Sequence, residues 1–158
     1  MQKIVPSLWF NNNAEEAIDF YTSIFPESKI LKKSYYGEGA PLPKGTLLAG
    51  TFQLAGQEFF VLNGGPQFTF TEAISFTVNC KTQEEVDFYW SRLTADGGKE
   101  VQCGWLKDKY GLSWQIVPAI LGELMSDKDP AKVGRTMAAM MKMVKLDIAG
   151  LKKAYDGE

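Results

Sequence analysis

The sequence predicts an α+β fold in which one strand–helix–strands unit is used twice and a helical tail follows. Three observations carry this. Two stretches of helical hydrophobic spacing begin roughly 70 residues apart, each opened by paired glutamates and followed by strand-like alternation. The two helices share a run, Glu15-Glu16-Ala17-Ile18-Asp19-Phe20-Tyr21 against Glu84-Glu85-Val86-Asp87-Phe88-Tyr89. Beyond Pro118 the alternation stops and helical spacing continues to the end of the chain. Two copies are too few for a stacked array. They predict pseudo-symmetric halves of one domain over 1–158, with one sheet running through both: module one 1–66, module two 72–119 and the tail 120–158.

Lys3–Phe10 alternates as a strand. Asn13 followed three residues later by Glu16 has the form of a capping box, and the helix "AEEAIDFYTSIF" follows. Its apolar stripe is Ala14, Ala17, Ile18, Tyr21, Ile24 and Phe25, and Pro26 stops it. Strands are predicted at Ser28–Tyr36, Thr46–Leu54 and Glu58–Asn63, with a Gly/Pro-rich loop at Gly37–Gly45 and a hairpin turn at Ala55-Gly56-Gln57. Asn63-Gly-Gly-Pro66 reads as the turn that ends the unit.

Ala73–Cys80 opens the second copy. Thr82 with Glu85 is a second capping box, and Val86, Tyr89, Trp90 and Leu93 form the next helical stripe, which ends at Asp96-Gly97-Gly98. Strands are predicted at Lys99–Leu106 and Leu112–Val117, around a turn at Lys109-Tyr110-Gly111. Lys107, Asp108 and Lys109 read as a solvated turn. In the tail, Asp129 is a cap with Pro130 at the first helical position, and Ala131–Tyr155 reads as one long helix. Its stripe of Met137, Met140 or Met141, Val144, Ile148, Leu151 and Tyr155 has to be buried on its own sheet or on a second subunit, and the expectation is a homodimer partly sealed by this tail.

Composition narrows the function. A net charge of −2 and the absence of any histidine argue against a basic nucleic-acid face, and remove the commonest general base and transition-metal ligand. The longest uncharged runs, of 13 residues, are too short to span a bilayer. The N-terminus carries no signal-peptide pattern, and Cys80 and Cys103 form no disulfide framework, so the expected location is cytoplasmic with both thiols reduced and buried.

Four stretches carry a family resemblance: "SLWFNNNAEEAIDFYTSIFPES", "GQEFFVLNGGPQFTF", "EAISFTVNCKTQEEVDFYWSRL" and "CGWLKDKYGLSWQIVP". The tail run "MMKMVKLDIAGLKKAYDG" adds to them. Together, in this order, they resemble the vicinal oxygen chelate superfamily (the glyoxalase/bleomycin-resistance/dioxygenase fold). More narrowly they resemble its PhnB-like branch, whose members often carry the label 3-demethylubiquinone-9 3-methyltransferase. The resemblance implies paired βαβββ modules whose strands curl into a cup-shaped mixed sheet, with the helices outside and a ligand pocket inside. Alternation then points Ser7, Trp9, Ser75, Thr77, Ser113 and Gln115 into the cup, joined by Asn63, Val61 and Phe59, while Ile74, Phe76 and Val78 pack on helices. Trp9 and Trp105 are candidates for an aromatic wall; Trp114, Phe60 and Trp90 read as core.

The resemblance also places Gln115 where metal-dependent members carry a metal-binding glutamate. The other ligand positions fall at Val5 or Ser7, Leu62 or Asn63, and Ala73 or Ser75, none of them a histidine or a carboxylate. Neutral amide and hydroxyl groups make a poor site for zinc, nickel or iron. A methyltransferase of the nucleotide-binding kind needs a glycine-rich turn after a strand, and no G-x-G-x-G occurs. The expectation is a pocket for a small-molecule ligand with no metal and no cofactor, lined by Gln115, Trp9, Ser7, Asn63, Ser75, Thr77, Trp105 and Ser113. It would serve for binding or for cofactor-independent chemistry, with no nucleic-acid or membrane partner. The alternatives are a methyltransferase, a metal-dependent lyase or dioxygenase, and a pure interaction module.

Overall fold

In a computed structural model, which describes residues 2–158, the helix of each predicted module lies against a four-stranded sheet of its own. In the first half the elements are β1 (Ser7–Phe10), α1 (Ala14–Ile24), β2 (Lys29–Tyr35), β3 (Leu47–Leu54) and β4 (Gln57–Asn63). In the second they are β5 (Ser75–Cys80), α2 (Gln83–Thr94), β6 (Lys99–Glu100), β7 (Trp105–Lys107) and β8 (Ser113–Pro118). The strand orders are β1-β4-β3-β2 and β5-β8-β7-β6, so one arrangement occurs twice, with β1 parallel to β4 and β5 parallel to β8. The paired βαβββ modules with mixed sheets are as expected. The hydrogen bonds form two sheets, though, and not a single one running through both halves. The chain forms two compact units, the first ending at Thr69 and the second spanning Phe70–Glu158.

In the first unit the predicted α1 stripe is buried in full. It packs on β3 and β4, with Tyr21 stacked on Phe52. Leu8, Phe10, Phe52, Phe59 and Val61 are buried strand residues of this unit, the alternate ones that a pleated sheet turns to one side. Gly50 allows the close approach of helix and sheet, because a Cβ there would lie 2.9 Å from Ile18 Cδ1. Asn13 makes no side-chain cap. Asn63 supplies it instead, its Oδ1 accepting from the Ala14 amide at 2.9 Å while its Nδ2 donates to the Leu47 carbonyl at 2.9 Å.

In the second unit Val86, Trp90 and Leu93 of α2 are buried with Leu106, Trp114 and Ile116. Tyr89 is only half-buried. Thr82 caps α2 through the Glu85 amide, and Glu85 reaches back to the Lys81 amide. The strand expected over Lys99–Leu106 is broken. Cys103 and Gly104 take positive φ (59° and 80°), and only Lys99–Glu100 and Trp105–Lys107 keep strand pairing. Ile74 lies before β5 and is 68% exposed, not packed on a helix.

The tail is three helices, α3 (Ile120–Met125), α4 (Pro130–Met140) and α5 (Ile148–Asp156), where one long helix was expected after Asp129. Asp129 does cap α4, accepting from the Ala131 amide. The break at 141–147 has a tertiary cause. The carbonyls of Met143 and Val144 accept from the amides of Cys103 and Gly104, both at 2.8 Å, and Leu146 enters the core. Asp147 then caps α5. Gln83 holds this segment with both ends of its amide, donating to the Leu146 carbonyl and accepting from the Ile148 amide. Lys145 pairs with Asp87. Leu124, Leu146 and Leu151 form the tail core, with Met140, Met143 and Tyr155 packed against it. Among the described residues no helix is long and apolar enough to cross a membrane.

Candidate functional site

The stretch Cys103–Pro118 sets the geometry of the second sheet, and a carboxylate organises it. Asp108 is buried, not solvated as the sequence suggested. It accepts from the amides of Tyr110 and Leu112 and from Trp114 Nε1, at 2.9, 3.1 and 2.9 Å. Gly111, at φ 84°, closes the turn by donating its amide N–H to the Asp108 carbonyl. These bonds draw Trp114 to the helix side, where it packs against Phe76. Its neighbours Ser113, Gln115 and Val117 therefore share the opposite face of β8.

On that face the register forms two rows. Thr77 (β5), Gln115 (β8) and Trp105 (β7) make one; Ser75, Ser113 and Lys107 make the other. Gln115 Nε2 donates to Ser75 Oγ at 2.9 Å, which pins the amide and leaves its carbonyl without a protein partner among the described residues. The Trp105 indole N–H likewise has no partner among the described residues. Ser113 Oγ is fully buried and has no hydrogen-bond partner among the described residues. Lys107 forms an ion pair with Glu72, and its ammonium holds the Glu72 carboxyl below the usual carboxylate range.

The first-module candidates are placed differently. Trp9 and Ser7 share the face opposite Leu8 and Phe10, as predicted, and Ser7 is exposed. Trp9 is held as a structural side chain. Its Nε1 donates to the Gly65 carbonyl at 2.9 Å, Phe68 meets it edge-on, and a Cβ on Gly64 would lie 2.2 Å from its ring. The glycine pair therefore lets the loop fold over this indole. Asn63 is a correction: it is buried on the helix side as the cap of α1, and Phe59 and Val61 are core beside it. Phe60, expected in the core, is half-buried on the other face.

Cys80 is fully buried, and burial, with the Glu85 charge adding to it, pushes its thiol up to about 12. Cys103, expected to be buried, is only partly so and lies 3.8 Å from Met141 Sδ.

The ligand positions implied by the resemblance hold Ser7, Asn63, Ser75 and Gln115. One is a helix cap and two are hydroxyls, with no charge to offset the desolvation of a cation. Among the described residues no three of His, Cys, Asp or Glu gather as a metal set. These side chains do not fit a catalytic transition metal. Nor do the strand-to-helix turns fit a nucleotide-type methyl donor. They are Asn11-Asn12-Asn13 and Lys81-Thr82, without the glycine that lets a backbone approach a phosphate or carboxylate.

This arrangement, a βαβββ module used twice, is that of the vicinal oxygen chelate superfamily. Residues 2–117 match the family described as 3-demethylubiquinone-9 3-methyltransferase, and the chain belongs to this PhnB-like family. A PhnB protein from Bacillus cereus that carries the same methyltransferase name is 42% identical, with a TM-score of 0.70 over 75% of this chain and all of the other. The fold is shared at 19% identity with protein PA1353 from Pseudomonas aeruginosa (TM-score 0.61, covering 73% of this chain and 96% of the other). It is shared at 19% identity with the fosfomycin resistance protein FosX from Listeria monocytogenes (TM-score 0.56, covering 80% and 98%). A search of curated proteins returned no match. The family match stops at the end of β8, so the tail lies beyond it.

Proposed function

We propose that the chain binds a small organic molecule, without a metal, on the face of the second sheet that carries Gln115, for sequestration or for cofactor-independent chemistry. Gln115 carries this reading. Its amide is fixed by Ser75, its carbonyl is free, and it stands in one cross-strand row with Thr77 and the unpaired indole of Trp105. A fixed acceptor beside an aromatic plate suits recognition of a flat molecule carrying one donor.

A thermal-shift screen of metabolites and aromatic antibiotics tests it. A binder should raise the melting temperature, and the rise should vanish in Gln115→Ala and Trp105→Ala. A rise that survives both substitutions would move the site elsewhere. Trp9→Ala should instead lower stability, since that indole is packed. Micromolar binding of S-adenosylmethionine in calorimetry would favour the methyltransferase that the family name describes, and stoichiometric metal in the purified protein would favour metal-dependent chemistry.

The same reading takes the protein as cytoplasmic, with 1–158 acting as one domain that unfolds in a single transition. It also takes it as a homodimer, for which Met137 and Met141, 41% and 60% exposed on the tail, are the supporting feature. Sedimentation of the double variant Met137→Lys/Met141→Lys should then show monomers, and an undisturbed dimer would remove the tail from the interface.

A further inference from the structure

We infer that the ligand of this face is a flat, ring-containing anion, its negative group taken by Lys107 and Ser113 and its ring laid along Trp105 toward Gln115. The inference rests on the reading of the second sheet face as the binding surface and adds the chemical class.

The row Ser75–Ser113–Lys107 is suited to an anion for two independent reasons. Lys107 is the more sheltered partner of its ion pair, at 30% side-chain exposure against 60% for Glu72. An ion pair with one arm in water contributes little. An incoming carboxylate can therefore exchange for Glu72 at small cost, and the protein need not bury an unpaired cation. Ser113 supplies the second reason. Its hydroxyl is fully buried with no partner. A buried hydroxyl without a hydrogen bond is destabilising, and such groups in native proteins call for an explanation. An acceptor atom arriving beside Lys107, its cross-strand neighbour, gives that hydroxyl its bond.

The other row receives the ring. Trp105 and Lys107 lie on one face of β7, two residues apart, as do Gln115 and Ser113 on β8. Two residues of strand advance about 6.6 Å, a step that one benzene ring bridges between para substituents. A ring whose acid group meets Lys107 and Ser113 would thus bring a para N–H or O–H donor to the free Gln115 carbonyl, against the indole of Trp105.

The test is an NMR titration of the full chain with para-aminobenzoate and with its neutral amide, para-aminobenzamide, following the Gln115 side-chain amide and the Trp105 indole N–H. Both compounds should shift both signals. The acid should bind about tenfold more tightly, the difference between a charged and a neutral hydrogen bond. Lys107→Met should bring the acid down to the level of the amide, and Glu72→Gln should tighten the acid alone. Ser113→Ala should weaken the acid several-fold without lowering the melting temperature, an outcome that a purely structural serine would not produce. Equal binding of acid and amide, or a preference that survives Lys107→Met, would overturn the anion inference and leave the surface standing. No shift at Gln115 and Trp105 with either compound at millimolar concentration would overturn both.

Discussion

The two modules share a strand order and differ at their outer edge. In the first, β2 and β3 are seven and eight residues long and complete the sheet. Their counterparts β6 and β7 have two and three, and the chain between them turns at Cys103-Gly104 toward the tail. The amides that a longer strand would have paired are taken by Met143 and Val144. The helices differ in the same way. Thr82 caps α2 locally, whereas α1 is capped across 49 residues by Asn63 of β4. A duplicated unit therefore does not duplicate its hydrogen bonds. Every buried amide still needs a partner, but each copy finds it in a different part of the chain.

The strongest way to break this comparison is to remove the partner. Ending the chain at Met140 strips Leu146 and Leu151 from the core and two carbonyls from the Cys103-Gly104 amides. The loss should be on the order of 5 kcal/mol or more, comparable to the whole stability of a domain. Near-ultraviolet circular dichroism should lose the signal of the second module, and an unchanged melting curve would show that the tail is dispensable. Asp108→Ala comes next. It orphans three N–H donors in a buried turn, for about 3 kcal/mol in urea denaturation.

The caps sharpen the comparison at lower cost. Asn63→Ala should lose about 2 kcal/mol and Thr82→Ala about 1 kcal/mol, while Asn13→Ala should change stability by less than about 0.5 kcal/mol. If Asn13 proved costlier than Asn63, the long-range cap would be refuted. The smallest effect is one of pH. Asp87 is held below its ordinary value of 3.8 by hydrogen bonds from Lys145 and Gln83, and Asp127 by the Tyr155 hydroxyl and the Asp129 amide. Depressed folded values mean that these contacts contribute fully above 3.8 and fade as pH falls through the lower folded values. Hydrogen-exchange protection factors in α5, taken against the intrinsic rate at each pH, should therefore fall only below that pH, and an equal fall at pH 6 would exclude these carboxylates as the cause.

Much of this was legible in the sequence. Period and punctuation located both helices, the β7–β8 turn and the Asp129 cap, and alternation placed Ser75, Thr77, Ser113 and Gln115 on one face. The misses share a cause. Asp108 looked solvated because a carboxylate between two lysines in a turn usually is, and nothing local announces that Trp114 six residues on donates to it. Asn63 looked like a lining residue because strand parity near a strand end cannot tell which side a helix will take. The long tail helix failed at 141–147, where propensity favoured helix and two amides from β7's loop required carbonyls.

By itself the sequence determined the repeat, the α+β class, the lack of histidine and the family, because periodicity, composition and local turn chemistry are written residue by residue. Only the tertiary structure decided that Asn63 caps α1, that Trp9 is held by its glycine loop, and that the tail completes module two. It alone left Ser113 and the Gln115 carbonyl unpaired on the same face. Those outcomes depend on which distant donor meets which acceptor, and hydrogen-bond satisfaction is settled across the fold rather than along the chain.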